Sequence, residues 1–203
     1  MAGKDPLALE SYLTKRERRF SPVEREAALA LVKQHVKTKN LIKHMLAAEA
    51  IMYHLAHHLG EDEETWGLAG LLHDIDYEKT MDVPEEHALI GAKLLESEDV
   101  DPTIIQAVLA HADKGPRLSM MDKALYATDP LTGLLVAAAL IHPKKKLSAI
   151  DVEFVLNRFK EKSFARGADR DIISTCTDIG LELEEFIDLG LRAMQGISKE
   201  LGL

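Results

Sequence analysis

The sequence predicts an all-α fold, and three observations predict it. Apolar residues recur at three- and four-residue spacing almost everywhere from Pro6 onward. Helix start and stop signals punctuate that pattern: Ser21-Pro22-Val23-Glu24, Asp101-Pro102 and Ser119 as starts, Gly60 as a stop. No stretch alternates strictly, none carries a hairpin turn pair, and β-branched residues do not cluster. Repeats, low-complexity segments and a separating linker are also missing, so residues 1–203 read as a single helical-bundle domain.

In chain order, residues 6–19 read as a short charged helix ending in Lys15, Arg16, Arg18 and Arg19. Ser21 then caps a helix with Pro22 in its first position and Glu24 in its third, running to about Lys37 with Ala27, Leu31 and Val32 on its apolar side. Asn40 caps a long helix that Gly60 stops after Leu59. Glu61 to Glu64 lead acidic residues into a helix from Trp66 to Asp74. Gly67 and Gly70 in that helix each cost about 1 kcal/mol relative to Ala, which close backbone packing recovers.

Tyr77 to Pro84 reads as a loop, and Pro84-Glu85-Glu86 starts a helix to about Ser97. Asp101-Pro102 starts the next, through His111, and Gly115-Pro116 ends it. Ser119 opens a helix through Leu125 to Thr128, which Pro130 breaks or restarts toward Leu140. His142 to Lys146 is a basic turn, Ser148 to Lys160 is helical, and Asp169 to about Leu201 forms one or two amphipathic helices. Their stripe (Ile172, Ile173, Ile179, Leu183, Phe186, Ile187, Leu191, Met194) packs either on the core or on a second subunit of a homodimer.

Charge and cysteine content narrow the function. Twenty-five basic against 34 acidic residues give −9, which argues against general nucleic-acid binding through a basic surface. The single Cys176 forms no internal disulfide and fits a reducing cytosol. The first residues lack the apolar core of a signal peptide, and the apolar run Gly133 to Ile141 is too short to span a bilayer. A cytoplasmic protein with no membrane partner is expected.

Nine histidines need sorting. His44 shares the apolar stripe of Ala48, Ile51 and Leu55, where a hydrogen-bonded core residue and a ligand both fit. His54, His57 and His58 close the same helix and complement its dipole. His58 lies about 21 Å along the axis from His44, too far to share an ion. His73-Asp74 ends an apolar helix, an arrangement suited to a divalent metal or to a simple capped turn. His87 is expected in the first turn of its helix, where the dipole favours a neutral imidazole. His111 continues the face of Ile104, Ala107 and Val108, and Asp129, just before Pro130, is either a cap or a ligand.

The order His44, His73-Asp74, Asp129 on successive helices resembles the HD superfamily of metal-dependent phosphohydrolases. Ala69-Gly70-Leu71-Leu72-His73-Asp74-Ile75 is similar to its central motif, and His87-Ala88-Leu89-Ile90-Gly91-Ala92 to the element that follows in the His-Asp-Ile-Gly subgroup. Ala110-His111 and Asp122 to Asp129 resemble the last ligand elements, so the likeness covers about residues 40–130. Helices of residues 6–37 and 131–203 would then pack on an HD core. The resemblance implies that His44, His73, Asp74 and Asp129 hold one divalent metal, with His87 and His111 completing a second across a bridging Asp74.

The subgroup's glycine is Asp76 here, and Tyr77 stands where a lysine is frequent. A carboxylate there orients a water, holds a metal through its outer shell, or caps the loop. One or two ions of Mn, Fe, Co, Ni, Zn or Mg suit such a donor set. The reaction implied is attack of metal-activated water on a phosphate ester of a small molecule, most simply a nucleotide. Asp74, Asp76 and Lys123 are expected to take part in it, with Lys79, Lys114, Arg166 and Arg170 as the cations that would meet the phosphate. The alternatives are a non-catalytic metal- and nucleotide-binding regulatory module and a helical interaction protein.

Overall fold

A computed structural model describes residues 23–203, so the helix expected over residues 6–19 lies outside the described residues, as do Ser21 and Pro22. Every regular element among the described residues is helical: α1 (Arg25–His35), α2 (Lys39–Leu59), α3 (Glu63–Leu72), α4 (Tyr77–Thr80), α5 (Leu89–Ser97), α6 (Pro102–His111), α7 (Met120–Ile141), α8 (Val152–Lys160), α9 (Arg170–Ser174), α10 (Leu183–Gly196) and α11 (Ser198–Leu201), with 3-10 turns at Leu147–Ala149 and Thr175–Ile179. The buried side chains form one cluster running from Ala28 to Leu201.

The antiparallel pair α2 and α3 is the centre of the packing. Gly60 ends α2 in the left-handed conformation (φ 74°), and the Glu61 N–H closes back on the Ala56 carbonyl at 2.9 Å. Two residues on, Asp62 caps α3 by accepting from Thr65 N–H at 2.7 Å. Every α3 residue from Trp66 to Leu72 is buried. A Cβ added to Gly70 would sit 2.6 Å from the Ala48 carbonyl oxygen and 2.7 Å from the Glu49 nitrogen, so the two backbones touch at this glycine. That contact is what recovers its cost to the helix.

Several boundaries differ from the sequence reading. The first described helix starts at Arg25 with Glu24 as its cap, and Asn40 lies inside α2, whose cap is Thr38. Residues 77–80 are helical rather than loop. Pro84 opens only a string of turns, and α5 begins at Leu89 after Ala88, a buried left-handed residue (φ 65°) that turns the chain at a cost of about 1–2 kcal/mol. Pro130 does not break α7, which runs unbroken for 22 residues. The missing N–H is one bond of a long ladder, and the burial of Leu131, Leu134, Leu135 and Ala138 outweighs it. Ile150 and the Asp151 cap interrupt the segment 148–160, and Gly180 (φ 80°) divides the C-terminal region.

The C-terminal stripe packs inward: Ile173, Ile179, Phe186, Ile187, Leu191 and Met194 are all buried against α2 and α7, so this stripe does not supply a homodimer face. By length and composition α7 would also suit a membrane crossing. Here its apolar side chains line the protein core. Cys176 is buried without exposure, and burial pushes its thiol up to about 11. A thiol-disulfide reagent is therefore expected to leave it unmodified in the native protein and to react on addition of denaturant; rapid native labelling would contradict the burial.

Candidate metal centre

Five elements deliver the six residues in question. His44 comes from α2, His73 and Asp74 from the end of α3, His87 from the turn before α5, His111 from the last turn of α6 and Asp129 from the middle of α7. His87 thus precedes its helix instead of occupying the first turn, and a carboxylate rather than the helix dipole sets its state. His73 and His111 are buried, Asp74 is 6% exposed, and Asp129 stands at the open edge with 38% of its side chain exposed.

Their donor atoms converge in two sets. His44 Nε2 lies 3.1 Å from His73 Nε2, 3.1 Å from Asp129 Oδ1 and 3.3 Å from Asp74 Oδ2. Asp74 Oδ1, the other oxygen, lies 3.4 Å from His87 Nε2 and 3.6 Å from His111 Nε2. Ligand atoms each about 2.0–2.2 Å from one ion stand roughly 3–3.5 Å apart, and these distances from His44 Nε2 and from Asp74 Oδ1 are close to that spacing. Donor atoms all within 4.8 Å of one another are those of His44, His73 and Asp129 and those of His73, Asp74 and His111, with His87 joined through Asp74.

The other ring nitrogens explain why all four Nε2 atoms point inward. His44 Nδ1 is 2.8 Å from Thr132 Oγ1, and that hydroxyl already donates to the Asp129 carbonyl at 2.8 Å, so the ring must be the donor. His73 Nδ1–H donates to the Gly70 carbonyl at 2.8 Å, His111 Nδ1–H to that of Val108, and His87 Nδ1–H to Asp76 Oδ1 at 3.0 Å. With every Nδ1 so held, each Nε2 of a neutral ring presents a lone pair. Lone pairs facing one another at 3.1 Å repel unless a cation lies between them. His111 Nε2 is buried without any hydrogen-bond partner, the orphan a missing ligand bond would leave. The residues fit a divalent metal.

The electrostatics agree. Burial disfavours the His44 imidazolium, yet Asp129 and Asp74 outweigh it and raise its pKa to about 10. Burial likewise opposes ionisation of the two carboxylates, and the surrounding imidazoles overcome it and hold both well below the usual range. The cluster therefore draws in positive charge, a proton in one case and a metal in the other.

Both oxygens of Asp76 are engaged within the fold in this arrangement. The residue is 1% exposed, one oxygen takes the His87 proton and the other accepts Gly91 N–H at 2.6 Å. A Cβ on Gly91 would lie 3.2 Å from that carboxylate, so the glycine admits it to the first turn of α5, where the helix dipole favours negative charge. Asp76 positions His87. Asp76→Ala is expected to weaken binding in the His87–His111 set by about 10–100-fold while His44, His73 and Asp129 keep theirs. Titration of the metal-free protein with Mn reads both steps; equal weakening of the two would remove the positioning role.

The expected cations are elsewhere. A cavity of about 360 Å³ opens on His44, Asp74, His87 and Asp129, walled by Leu41, Tyr77 and Ile172, and no Lys or Arg among the described residues lines it. Lys79 Nζ sits 3.1 Å from His35 on α1. Lys123 precedes Asp129 by six residues, about 240° around α7, and faces away. Lys114 follows α6 in a turn and Arg166 is exposed beside Gly167, neither reaching the cavity wall. Arg170 is committed to the fold, donating to the carbonyls of Arg158, Phe159, Phe164, Ala165 and Ala168. His54, His57 and His58 serve local contacts with Ala50, Glu63 and Glu185. Thr132 and the cavity wall were not foreseeable from motif spacing; position 132 shares a helix face with Asp129 at i+3, which is a signal only once Asp129 is known to be a ligand.

Comparison with known proteins gives the same picture. Ribonuclease Y of Oleidesulfovibrio alaskensis is 32% identical over 140 residues, 66% of this chain and 27% of the relative. That of Desulfotalea psychrophila is 32% identical over 139 residues, 66% and 26%. That of Dehalococcoides mccartyi is 28% identical over 169 residues, 80% and 31%. The chain thus spans about a quarter to a third of the length of these curated relatives. No solved structure matches it. The HD domain family profile matches residues 41–152, more than half of the sequence and beyond the 40–130 of the motif resemblance. With this match over more than half of the sequence and a described part that is helical throughout, the chain belongs to the HD domain family.

Proposed function

We propose that this chain is a metal-dependent phosphohydrolase that cleaves a phosphate ester of a small molecule, with a nucleotide as the substrate class. The observation that carries the reading is the division of Asp74, one oxygen toward each of two adjacent donor sets whose imidazoles are all held with Nε2 inward. The imidazoles and carboxylates of these sets would hold a divalent ion or pair, which would lower the pKa of water and offset charge on phosphoryl oxygens, chemistry that no described side chain lining the cavity offers. Thr132, Gly70, Val108 and Asp76 hold the ligand rings still, so little reorganisation is needed when substrate arrives. The exposed edge of Asp129 faces the cavity through which a phosphate would enter. Reaction in the reducing cytoplasm is part of the same reading, in keeping with the single buried thiol.

The relatives' name supports a second substrate, RNA, and runs against the expectation of a small one without nucleic-acid binding. On this chain the net charge of −9 and a cavity wall free of Lys and Arg among the described residues favour the small ester, because a polyanion needs a track of cations. The test is turnover by Mn-, Co- or Mg-loaded protein of nucleoside monophosphates, p-nitrophenyl phosphate and single-stranded RNA, with and without chelator. Chelator-sensitive release of phosphate from a small ester is expected. Cleavage of RNA alone would replace the substrate, and binding of all three without turnover would leave a regulatory module.

A further inference from the structure

Gly133 lies inside α7 four residues after Asp129, and the packing of the described residues does not account for it. Glycine inside a helix is destabilising. Gly70 and Gly190 have a packing reason, since an added Cβ would meet the Ala48 carbonyl oxygen at 2.6 Å and Leu131 at 2.8 Å. An added Cβ at Gly133 meets nothing within 4 Å. The empty space is not bulk solvent alone. Gly133, with His44 and Thr132, is shared by the metal-side cavity and a second cavity of about 390 Å³ between α2, α7 and the segment 201–203.

The second cavity has a definite chemistry. Ala47, Val136 and Leu140 give it an apolar wall, and Leu140 is 50% exposed although nothing in the fold requires an apolar residue there. Asn40 and Lys43 add a carboxamide and an ammonium, the latter donating to the Leu201 carbonyl at 2.6 Å. Asp129, Gly133, Val136 and Leu140 lie on one face of α7, and Asp129 and Val136 are about 10 Å apart along it. A phosphate held beside Asp129 would thus carry its organic group over Gly133 into a slot with apolar sides and hydrogen-bonding groups at its rim.

We infer that this slot is the nucleoside subsite of the enzyme: Gly133 is the gap through which the sugar passes, Val136 and Leu140 the surface for the base, and Asn40 and Lys43 the groups that meet its polar edge. The inference rests on the phosphohydrolase reading and names its substrate's organic part.

The test is calorimetric binding of the four nucleoside 5′-phosphorothioates and of thiophosphate to Mn-loaded wild type, Gly133→Ala and Gly133→Val, with metal content and melting temperature measured alongside. Wild type should bind at least one nucleotide tenfold more tightly than thiophosphate. Gly133→Val should lose that advantage while keeping its metal and its affinity for thiophosphate. Gly133→Ala should melt about 2–4 °C higher than wild type and still bind the nucleotide more weakly, opposite signs that a structural role for the glycine would not produce. Unchanged nucleotide affinity in both variants overturns the subsite, as does a wild type that prefers no nucleotide over thiophosphate. Turnover of p-nitrophenyl phosphate, measured on the wild type, separates the two ideas: its presence with no nucleotide preference removes the subsite alone, and its absence removes the phosphohydrolase reading.

Discussion

Asp74→Ala should yield a folded protein that retains metal in neither donor set and hydrolyses no ester above background. Among the described residues, Asp74 alone gives one carboxylate oxygen to each set: Oδ2 lies 3.3 Å from His44 Nε2, and Oδ1 lies 3.4 Å from His87 Nε2. Truncation removes a ligand from both sets and half of the ligand carboxylates that offset the charge of an ion, leaving Asp129 as the other. The fold should survive, because the turn after α3 is closed by the Asp74 backbone carbonyl, which accepts Tyr77 N–H at 3.0 Å whatever the side chain. A metal at a hundred times its Kd adds about 2.7 kcal/mol of stability. For a chain of this size that is roughly 5–10 °C in Tm. Chelator should therefore lower the wild-type Tm by about that much and leave the variant unmoved, with elemental analysis showing one or two equivalents of metal in the first and none in the second. A variant with the full wild-type metal content would mean that Asp74 does not bridge the sets.

Gly70→Ala should be the most damaging single methyl group that can be added to α3. Its Cβ would lie 2.6–2.7 Å from the Ala48 and Glu49 backbone, and a helix backbone cannot rotate aside as a flexible side chain can. The helices must separate, undoing the packing of Ala48, Ile51, Leu71 and Leu72, all buried without exposure. The expected cost is about 3 kcal/mol or more, some 6–12 °C in Tm. The same substitution at Gly67, whose nearest atoms are side-chain carbons at 3.7–3.8 Å, fits in ordinary contact and should be neutral or slightly stabilising. Gly70 also accepts the His73 Nδ1 proton, so the shift should loosen metal binding in the His44–His73 set before the protein unfolds. Thermal melts of the two alanine variants with and without Mn measure both effects. Equal stability of the pair would show that the helices do not meet at Gly70.

The middle of each helix was legible in the sequence because a stripe of Leu, Ile, Met and Ala at helical spacing has one favourable use. Helix ends were legible where the terminal residue's own chemistry forms the cap, the side chains of Asp101 and Ser119 and the left-handed backbone of Gly60. They were misread where burial overrode the local signal. Pro130 sits inside α7 because its neighbours are core residues, and Ala88 takes a left-handed turn to place His87 over Asp74. The choice between core and second subunit for the C-terminal stripe stayed open in the sequence, and the expected cations lie off the described cavity wall, for a related reason: amphipathicity says that a face will be covered, and charge says that a residue is polar, but neither says by what or toward what. Arg170 shows this best, a cation used entirely to close a loop of carbonyls.

The sequence by itself determined the all-α class, since helix periodicity is written in residue identity and spacing, and its likeness to the HD motif nominated six His and Asp residues as donors. Tertiary structure decided what those donors can do. It is the backbone contact of α2 and α3 at Gly70, with α7 crossing nearby, that brings Nε2 atoms from residues 44 and 73 within 3.1 Å. It is the same packing that sets Asp76 against His87 and Gly91, and that leaves open space at Gly133 among the described residues. Distances of a few ångströms between residues up to 88 positions apart depend on how helices cross, and crossing is set by the summed burial of side chains that no single motif contains.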